Sequence, residues 1–218
     1  MTDVEVRNQV VTYERLAEDI LRSCDGASLP KDMPIIALMG PMGSGKSTIA
    51  DILVENYGFR QYAFGDAVKY VSHKYFDCGN FDAYIEGKLK HKPRSLYQKV
   101  GQKLREFDQD IWVKTLEYKL AQHFSSTNIP VVIDDLRQPN ERLWAFEKGI
   151  PVIRVYASED IRIKRLENRG DIFEEEHLNH DTEKFINILT YDYTIVNNGS
   201  IDELKEQVDI AMHQLWKF

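Results

Sequence analysis

Apolar residues follow two rhythms along this chain. Short uninterrupted apolar runs alternate with longer segments where apolar positions return every third or fourth residue. The first rhythm marks buried strands and the second marks helices packed by one face. Ile35-Ile36-Ala37-Leu38-Met39 is a run of the first kind. Residues 47–57 then read as a helix, with Ile49, Ile52 and Leu53 inward and Gly58 as its stop. Residues 59–64 predict a second strand, and Asp66 occupies the expected N-cap of the next helix. Segments 66–76, 95–107 and 110–123 predict helices. Residues 130–133 predict a third strand, ending in Asp134-Asp135, and 140–148 a helix closed by Gly149. Beyond it, 151–156 and 191–196 predict strands, while 160–168 and 202–216 predict helices.

Ahead of this alternation, Val6, Val10, Tyr13, Ala17 and Ile20 recur at helical spacing and predict a helix over 3–23. The stretch from Cys24 to Pro34, with Asp25-Gly26 and two prolines, breaks it. That helix is expected to pack on its own domain, as most amphipathic helices do. The organisation expected is an N-terminal helical extension over 1–30 and one α/β domain over 31–218. Apolar strands separated by helices imply a parallel sheet covered on both faces. Ligands in such folds bind beyond the carboxyl ends of the strands. The glycine loop after Met39, Asp66 and Asp134-Asp135 all fall there.

Composition narrows the class. The chain has 218 residues, 43% hydrophobic and 29% charged, enough for one well-buried core with an appendage. A formal net charge of −7 argues against a nucleic-acid partner. No apolar run approaches membrane-spanning length, and the N-terminus lacks a signal-peptide core. The two cysteines, Cys24 and Cys78, form neither a metal pair nor a disulfide framework. A reducing, cytoplasmic setting is expected, with no membrane partner.

The strongest chemical signal is Gly40-Pro41-Met42-Gly43-Ser44-Gly45-Lys46-Ser47-Thr48. It matches the phosphate-loop pattern G-x-x-x-x-G-K-[S/T], with an apolar strand before it and a helix after it. Its glycines let several backbone N–H groups turn toward one anion, and the helix N-terminus adds partial positive charge. Lys46 then reaches the terminal phosphates of a nucleotide such as ATP, and the Ser47 hydroxyl serves as a ligand for Mg²⁺. Asp134 and Asp135 end an apolar strand, as the acidic residue of such a magnesium site does, and periodicity leaves open which of them serves. Asp66 can cap its helix, orient an acceptor or accept a proton. Cations cluster at Lys69, at Arg94 and Arg105, and at Arg162, Arg165 and Arg169. The last group precedes a polar segment suited to a closing lid over about 162–184. His177 and His180, among acidic neighbours, have metal-ligating side chains but no metal-site spacing, and read as part of a solvated lid.

These residues belong to a longer ordered set. Phe64-Gly65-Asp66-Ala67-Val68-Lys69 and Arg94-Ser95-Leu96-Tyr97-Gln98-Lys99-Val100-Gly101-Gln102 follow the loop. Asp110-Ile111-Trp112-Val113, Asp135-Leu136-Arg137-Gln138-Pro139-Asn140-Glu141 and His180-Asp181-Thr182-Glu183 come next, and the set closes with Asp192-Tyr193-Thr194-Ile195-Val196-Asn197-Asn198-Gly199. From Ile35 to about Val208 the chain resembles a P-loop nucleoside monophosphate kinase, and more narrowly the deoxynucleoside monophosphate kinases of bacteriophages and prophages. The resemblance implies a three-layer P-loop NTPase fold with a five-stranded parallel sheet, helices on both faces and a lid, to which this chain adds its N-terminal helix. It implies transfer of the γ-phosphoryl group of ATP to a nucleotide monophosphate with Mg²⁺. It places acceptor recognition at Asp66, Lys69, Arg94, Gln98 and Arg105, on helices within about 66–123. Ion or phosphate contacts fall at Asp135 and Arg137, and the lid arginine is taken as Arg165. Small nucleotides would be the partners of a monomer or homodimer.

Two other readings compete. One is a P-loop kinase for another acceptor, of the dephospho-CoA or phosphomevalonate type, in which Asp66 becomes a candidate general base for a hydroxyl. The other is a non-catalytic nucleotide-binding module whose N-terminal helix recruits a partner.

Overall fold

The computed structural model describes residues 4–6, 9–76, 93–168, 185 and 188–215. In chain order the first elements are strands β1 (Val4–Val6) and β2 (Gln9–Val11), then helix α1 (Tyr13–Ser23). Strand β3 (Ile35–Met39), helix α2 (Lys46–Tyr57), strand β4 (Arg60–Tyr62) and helix α3 (Gly65–Tyr75) follow. Helices α4 (Arg94–Arg105) and α5 (Ile111–Ser126) precede strand β5 (Val131–Leu136) and helix α6 (Pro139–Glu147). The chain then runs through β6 (Val152–Tyr156), α7 (Glu159–Asn168), β7 (Tyr193–Val196) and α8 (Ile201–Leu215). These elements fall into two compact units, one of Met1–Leu29 with Phe64–Ser125 and one of Pro30–Ala63 with Ser126–Phe218.

The second unit is built on a five-stranded sheet in the order β4-β5-β3-β6-β7. Every pairing in it is parallel, as the apolar runs predicted. All five residues of β3 are buried, as a strand requires when both faces of its sheet are covered. On one face Ile36, Leu38, Val132, Ile153 and Ile195 meet Ile49 and Leu53 of α2 and Leu204, Val208 and Met212 of α8. The Tyr57 hydroxyl ties these two helices by donating to Asp209 Oδ1 at 2.6 Å. Burial, and then that carboxylate, push the Tyr57 phenol up to about 12. Strand β7 is an edge, and edges carry unpaired backbone groups. The Gln207 amide of α8 satisfies Val196 on both counts, accepting from its N–H at 2.9 Å and donating to its carbonyl at 2.8 Å.

The first unit is helical around a second core. Tyr13, Leu16 and Ala17 of α1 pack with Val68 and Val71 of α3, Val100 and Leu104 of α4, and Ile111 and Trp112 of α5. Trp112 Nε1 donates to the Gly101 carbonyl at 3.1 Å, pinning α5 to α4. Residues 1–29 thus belong to this unit, where the expectation was a separate extension over 1–30. The expected helix over 3–23 is also shorter. Four valines among Val4–Val6 and Gln9–Val11 favour extended backbone, and these segments pair antiparallel. The helix starts only after Thr12, whose hydroxyl caps it by accepting from the Arg15 N–H at 3.2 Å.

A second difference concerns Asp66. It lies in the first turn of α3, and the cap position is Phe64, which makes no side-chain capping bond. The Asp66 carboxylate accepts instead from Lys69 Nζ at 2.9 Å. Of the expected lid over 162–184, the part from 169 onward, with Arg169, His177 and His180, lies outside the described residues.

His73 of α3 is buried, with Nε2 at 2.6 Å from the Tyr97 hydroxyl of α4, and burial holds its pKa below the ordinary value. The unfolded imidazole takes up its proton near pH 6.5, the native one only at lower pH. The unfolded state therefore binds more protons as pH falls below that point, and the stability present above it is lost. Denaturant midpoints should drop between about pH 7.5 and about pH 5.5 by more in the native chain than in His73→Gln. Equal drops would show that His73 contributes nothing to the acid sensitivity.

Candidate phosphate-binding site

The site begins where β3 runs out. Gly40 follows the buried strand directly, and α2 starts at Lys46, so the turn between them must be tight. Gly43 and Gly45 have φ of +79° and +103°, the region that L side chains avoid. Space forbids a side chain as well. A Cβ on Gly43 would lie 2.9 Å from the Arg162 carbonyl oxygen, and one on Gly45 would overlap the amide nitrogen of Asn197.

Lys46 is 8% exposed, and its ammonium donates to the Gly40 carbonyl at 2.6 Å and the Pro41 carbonyl at 3.0 Å. The cation is thus held across the loop mouth by the loop's own backbone. The Ser44 hydroxyl is fully buried and has no hydrogen-bond partner. Buried hydroxyls are normally satisfied, so this one fits a ligand oxygen as its acceptor. Ser47 and Thr48, on the first turn of α2, are exposed. Glycines that allow a close backbone approach, a buried cation, an orphaned hydroxyl and a helix N-terminus together suit the phosphates of a nucleotide.

Two arginines of α7 come to this loop. Arg162 Nη1 donates to the Met42 carbonyl at 3.2 Å. Arg165 Nη2 donates to Asn197 Oδ1 at 3.2 Å, and Asn197 Nδ2 donates to the Ser44 carbonyl at 2.9 Å. Gly40, Met42, Gly43, Ser44, Gly45, Lys46 and Arg165 therefore form one connected group, with Ser47 and Thr48 continuing it into α2.

Strand β5 brings the acids. Its register against β3 shifts: Ala37 pairs with Ile133 and Met39 with Leu136, which sets Asp134 and Asp135 together opposite Leu38. Such an extra residue re-aims side chains. Asp134 Oδ2 accepts from Gln61 Nε2 at 2.8 Å, which gives that carboxylate a structural partner on β4. Asp135 is half-buried beside the strand that feeds the loop. Asp135 and Ser47 are hard oxygen donors of the kind Mg²⁺ takes, and that ion needs only one or two protein ligands beside water and phosphate. Among the described residues no group of three or more His, Cys, Asp and Glu is placed to hold a metal by itself.

Arg137 follows β5. Its backbone N–H and that of Gln138 donate to Glu141 Oε2 at 2.8 and 3.0 Å, and Pro139 opens α6. Glu141 is 3% exposed, so a buried carboxylate fixes the turn that carries Arg137.

The acceptor-side residues expected from the sequence lie in the first unit. Asp66 and Lys69 pair on α3, with side chains 43% and 40% exposed. On α4, Arg94, Gln98 and Arg105 stand at positions i, i+4 and i+11, along one side of the helix. Gly101 lies between them, and a Cβ there would sit 3.5 Å from Val68 and 3.7 Å from Arg105 Nη1.

Asn197 and Glu141 carried no assigned role on sequence grounds. The available signals were an asparagine directly after an apolar strand, and a glutamate three residues after Gln138 at a helix start.

Comparison with known proteins gives the family and the fold. The family described as AAA domain matches residues 36–185. A protein of Acanthamoeba polyphaga mimivirus, assigned the name deoxynucleotide monophosphate kinase, is 27% identical over 199 residues, 81% of this chain and 94% of its own. Deoxyadenosine kinase of Lactobacillus acidophilus is 26% identical over 149 residues, 65% of this chain and 69% of its own. Among solved structures, shikimate kinase from Acinetobacter baumannii superposes with a TM-score of 0.50 at 17% identity, covering 86% of this chain and 97% of its own. At that identity the likeness is one of fold, the fold of P-loop kinases.

Replacing Gly45 with alanine tests the loop. The residue would be forced into left-handed backbone, at a cost of about 1–2 kcal/mol, and into the Asn197 amide. Gly45→Ala should weaken binding of a non-hydrolysable ATP analogue by at least about tenfold, measured by titration calorimetry. Unchanged affinity would mean that the loop does not hold the nucleotide.

Proposed function

We propose that this chain, which belongs to the AAA domain family, transfers the γ-phosphoryl group of ATP to a nucleoside or deoxynucleoside monophosphate. The bond from the γ-phosphorus to the β,γ-bridging oxygen breaks, and one from an acceptor phosphate oxygen to that phosphorus forms. The products are ADP and the corresponding diphosphate. The observation that carries this reading is the loop together with its two arginines: three cationic side chains, Lys46, Arg162 and Arg165, gathered at the end of one strand.

Phosphoryl transfer needs positioning and charge stabilisation more than covalent chemistry. The loop backbone binds the donor phosphates, and Lys46 exchanges its loop carbonyls for phosphate oxygens. Arg165 stabilises the charge of the transferring group, with Arg137 as a further cation beyond β5. Ser47 and Asp135 would hold Mg²⁺, which when bound neutralises phosphate charge and orients the oxygens. An acceptor phosphate is already mostly dianionic at neutral pH, its second pKa being about 6, so no strong base is required. Lys69, Arg94 and Arg105 clamp that dianion, Gln98 adds a polar contact, and Asp66 holds Lys69 in place. The names of both curated relatives favour an acceptor that carries deoxyribose, and that of the mimivirus protein favours a monophosphate.

A second reading rests on the Lactobacillus relative, whose name makes its acceptor a nucleoside hydroxyl. A hydroxyl must lose a proton, and Asp66 is the candidate to take it. The non-catalytic module has less support, because Tyr13, Leu16 and Ala17 of α1 are spent in the first unit's own core.

A coupled assay for ADP formation, run with the common ribo- and deoxynucleoside monophosphates and the matching nucleosides, separates these readings. Turnover is expected with at least one monophosphate. Lys46→Met should lower it on the order of 10²-fold or more, and Arg94→Ala should raise KM for the monophosphate while leaving that for ATP unchanged. Asp66→Asn should cost less than about tenfold for a phosphate acceptor and about 10²–10⁴-fold for a hydroxyl. Absence of turnover with every monophosphate would refute the main proposal.

A further inference from the structure

Asn197 touches both the phosphate loop and the arginine assigned to the transferring group. It follows β7 directly and is 5% exposed. Its backbone N–H donates to the Tyr156 carbonyl at 2.7 Å, one step beyond the last β6–β7 pair, so its main chain is set by the sheet. Its side chain uses both ends of the amide. Nδ2 donates to the Ser44 carbonyl at 2.9 Å, and Oδ1 accepts from Arg165 Nη2 at 3.2 Å. The partners fix this orientation, because a carbonyl can only accept and a guanidinium can only donate. The amide nitrogen also fills the space that a side chain on Gly45 would need.

We propose that Asn197 is a positioning residue that sets Arg165 relative to the phosphate loop; the inference rests on the phosphoryl-transfer reading above. An arginine side chain loses rotamer freedom when it is held in one geometry. A donor stabilises a transition state best when it is already in place. Asn197 supplies that placement from a rigid strand end, and ties it to the backbone that binds the donor phosphates. Loop and arginine then keep one geometry, whichever acceptor is used. Among its near-isosteres, aspartate lacks the donor and leucine lacks both donor and acceptor.

The test has a kinetic arm and a spectroscopic arm, both on the full chain. With saturating ATP and the best monophosphate acceptor, Asn197→Ala should lower kcat on the order of 10²-fold, with the acceptor KM within about threefold of native. If Asn197 acts through Arg165, the double variant Asn197→Ala/Arg165→Ala should be no slower than Arg165→Ala alone. Deficits that multiply would overturn the proposal. In the second arm the Arg165 guanidinium N–H signals are followed by nuclear magnetic resonance without nucleotide. They should be those of a hindered group in the native chain, averaged in Asn197→Ala, and retained in Asn197→Asp, which keeps the acceptor. Signals unchanged in Asn197→Ala would also overturn it. Should the alanine variant not fold, the near-isosteric Asn197→Asp decides, with kcat at least about tenfold below native expected and native kcat fatal to the idea. If the native chain phosphorylates no monophosphate, the phosphoryl-transfer reading falls, and the resonance arm still decides whether Asn197 holds Arg165.

Discussion

The phosphate loop of this protein depends on one geometric constraint: a fully buried strand must turn into a helix within six residues. Between Met39 and Lys46 the backbone adopts positive φ at Gly40, Gly43 and Gly45, and neighbouring atoms already occupy the space that side chains there would take. A turn of this kind points backbone N–H groups and a helix N-terminus at one place, which is why it binds anions. The rest of the second unit serves to hold that turn. The sheet buries β3 on both sides, α2 and α8 close one face, and α7 and Asn197 press on the loop from the side.

That support comes from sequence-distant residues. Asn197 lies 153 positions from Ser44, and Arg162 lies 120 from Met42. Each contact joins a backbone carbonyl of the loop to a side-chain donor, so the Met42 and Ser44 carbonyls are satisfied from outside the loop. The same economy appears at β5. The Asp134 carboxylate accepts from Gln61, and the Glu141 carboxylate accepts from the turn before α6; Asp135 and Arg137 carry the roles proposed for that strand end. The comparisons give the family and the P-loop kinase fold, while the acceptor is argued from the helices of the first unit.

Much of this was legible in the residues themselves. The positions of β3 and the first half of β5 came from uninterrupted apolar runs, since a strand buried on both faces has no polar side to confuse its pattern. Residues 3–23 misled because Val6, Val10, Tyr13, Ala17 and Ile20 fit a helical period, whereas local valine content favoured a hairpin before Thr12. Asp66 misled for a similar reason. An acid at a helix start usually caps it, but Lys69 one turn on captured the carboxylate.

The sequence by itself determined the phosphate loop, the five strands and the family, because each is written in consecutive residues: a glycine spacing, an apolar run, an ordered set of short strings. The tertiary structure alone decided which side chains complete the loop. Arg162 reaches a loop carbonyl, Arg165 reaches Asn197, and Asn197 reaches Ser44 only because the order β4-β5-β3-β6-β7 seats β6 between β3 and β7. No local period encodes that neighbourhood. It follows from which strands hydrogen-bond to which, a property of the whole sheet.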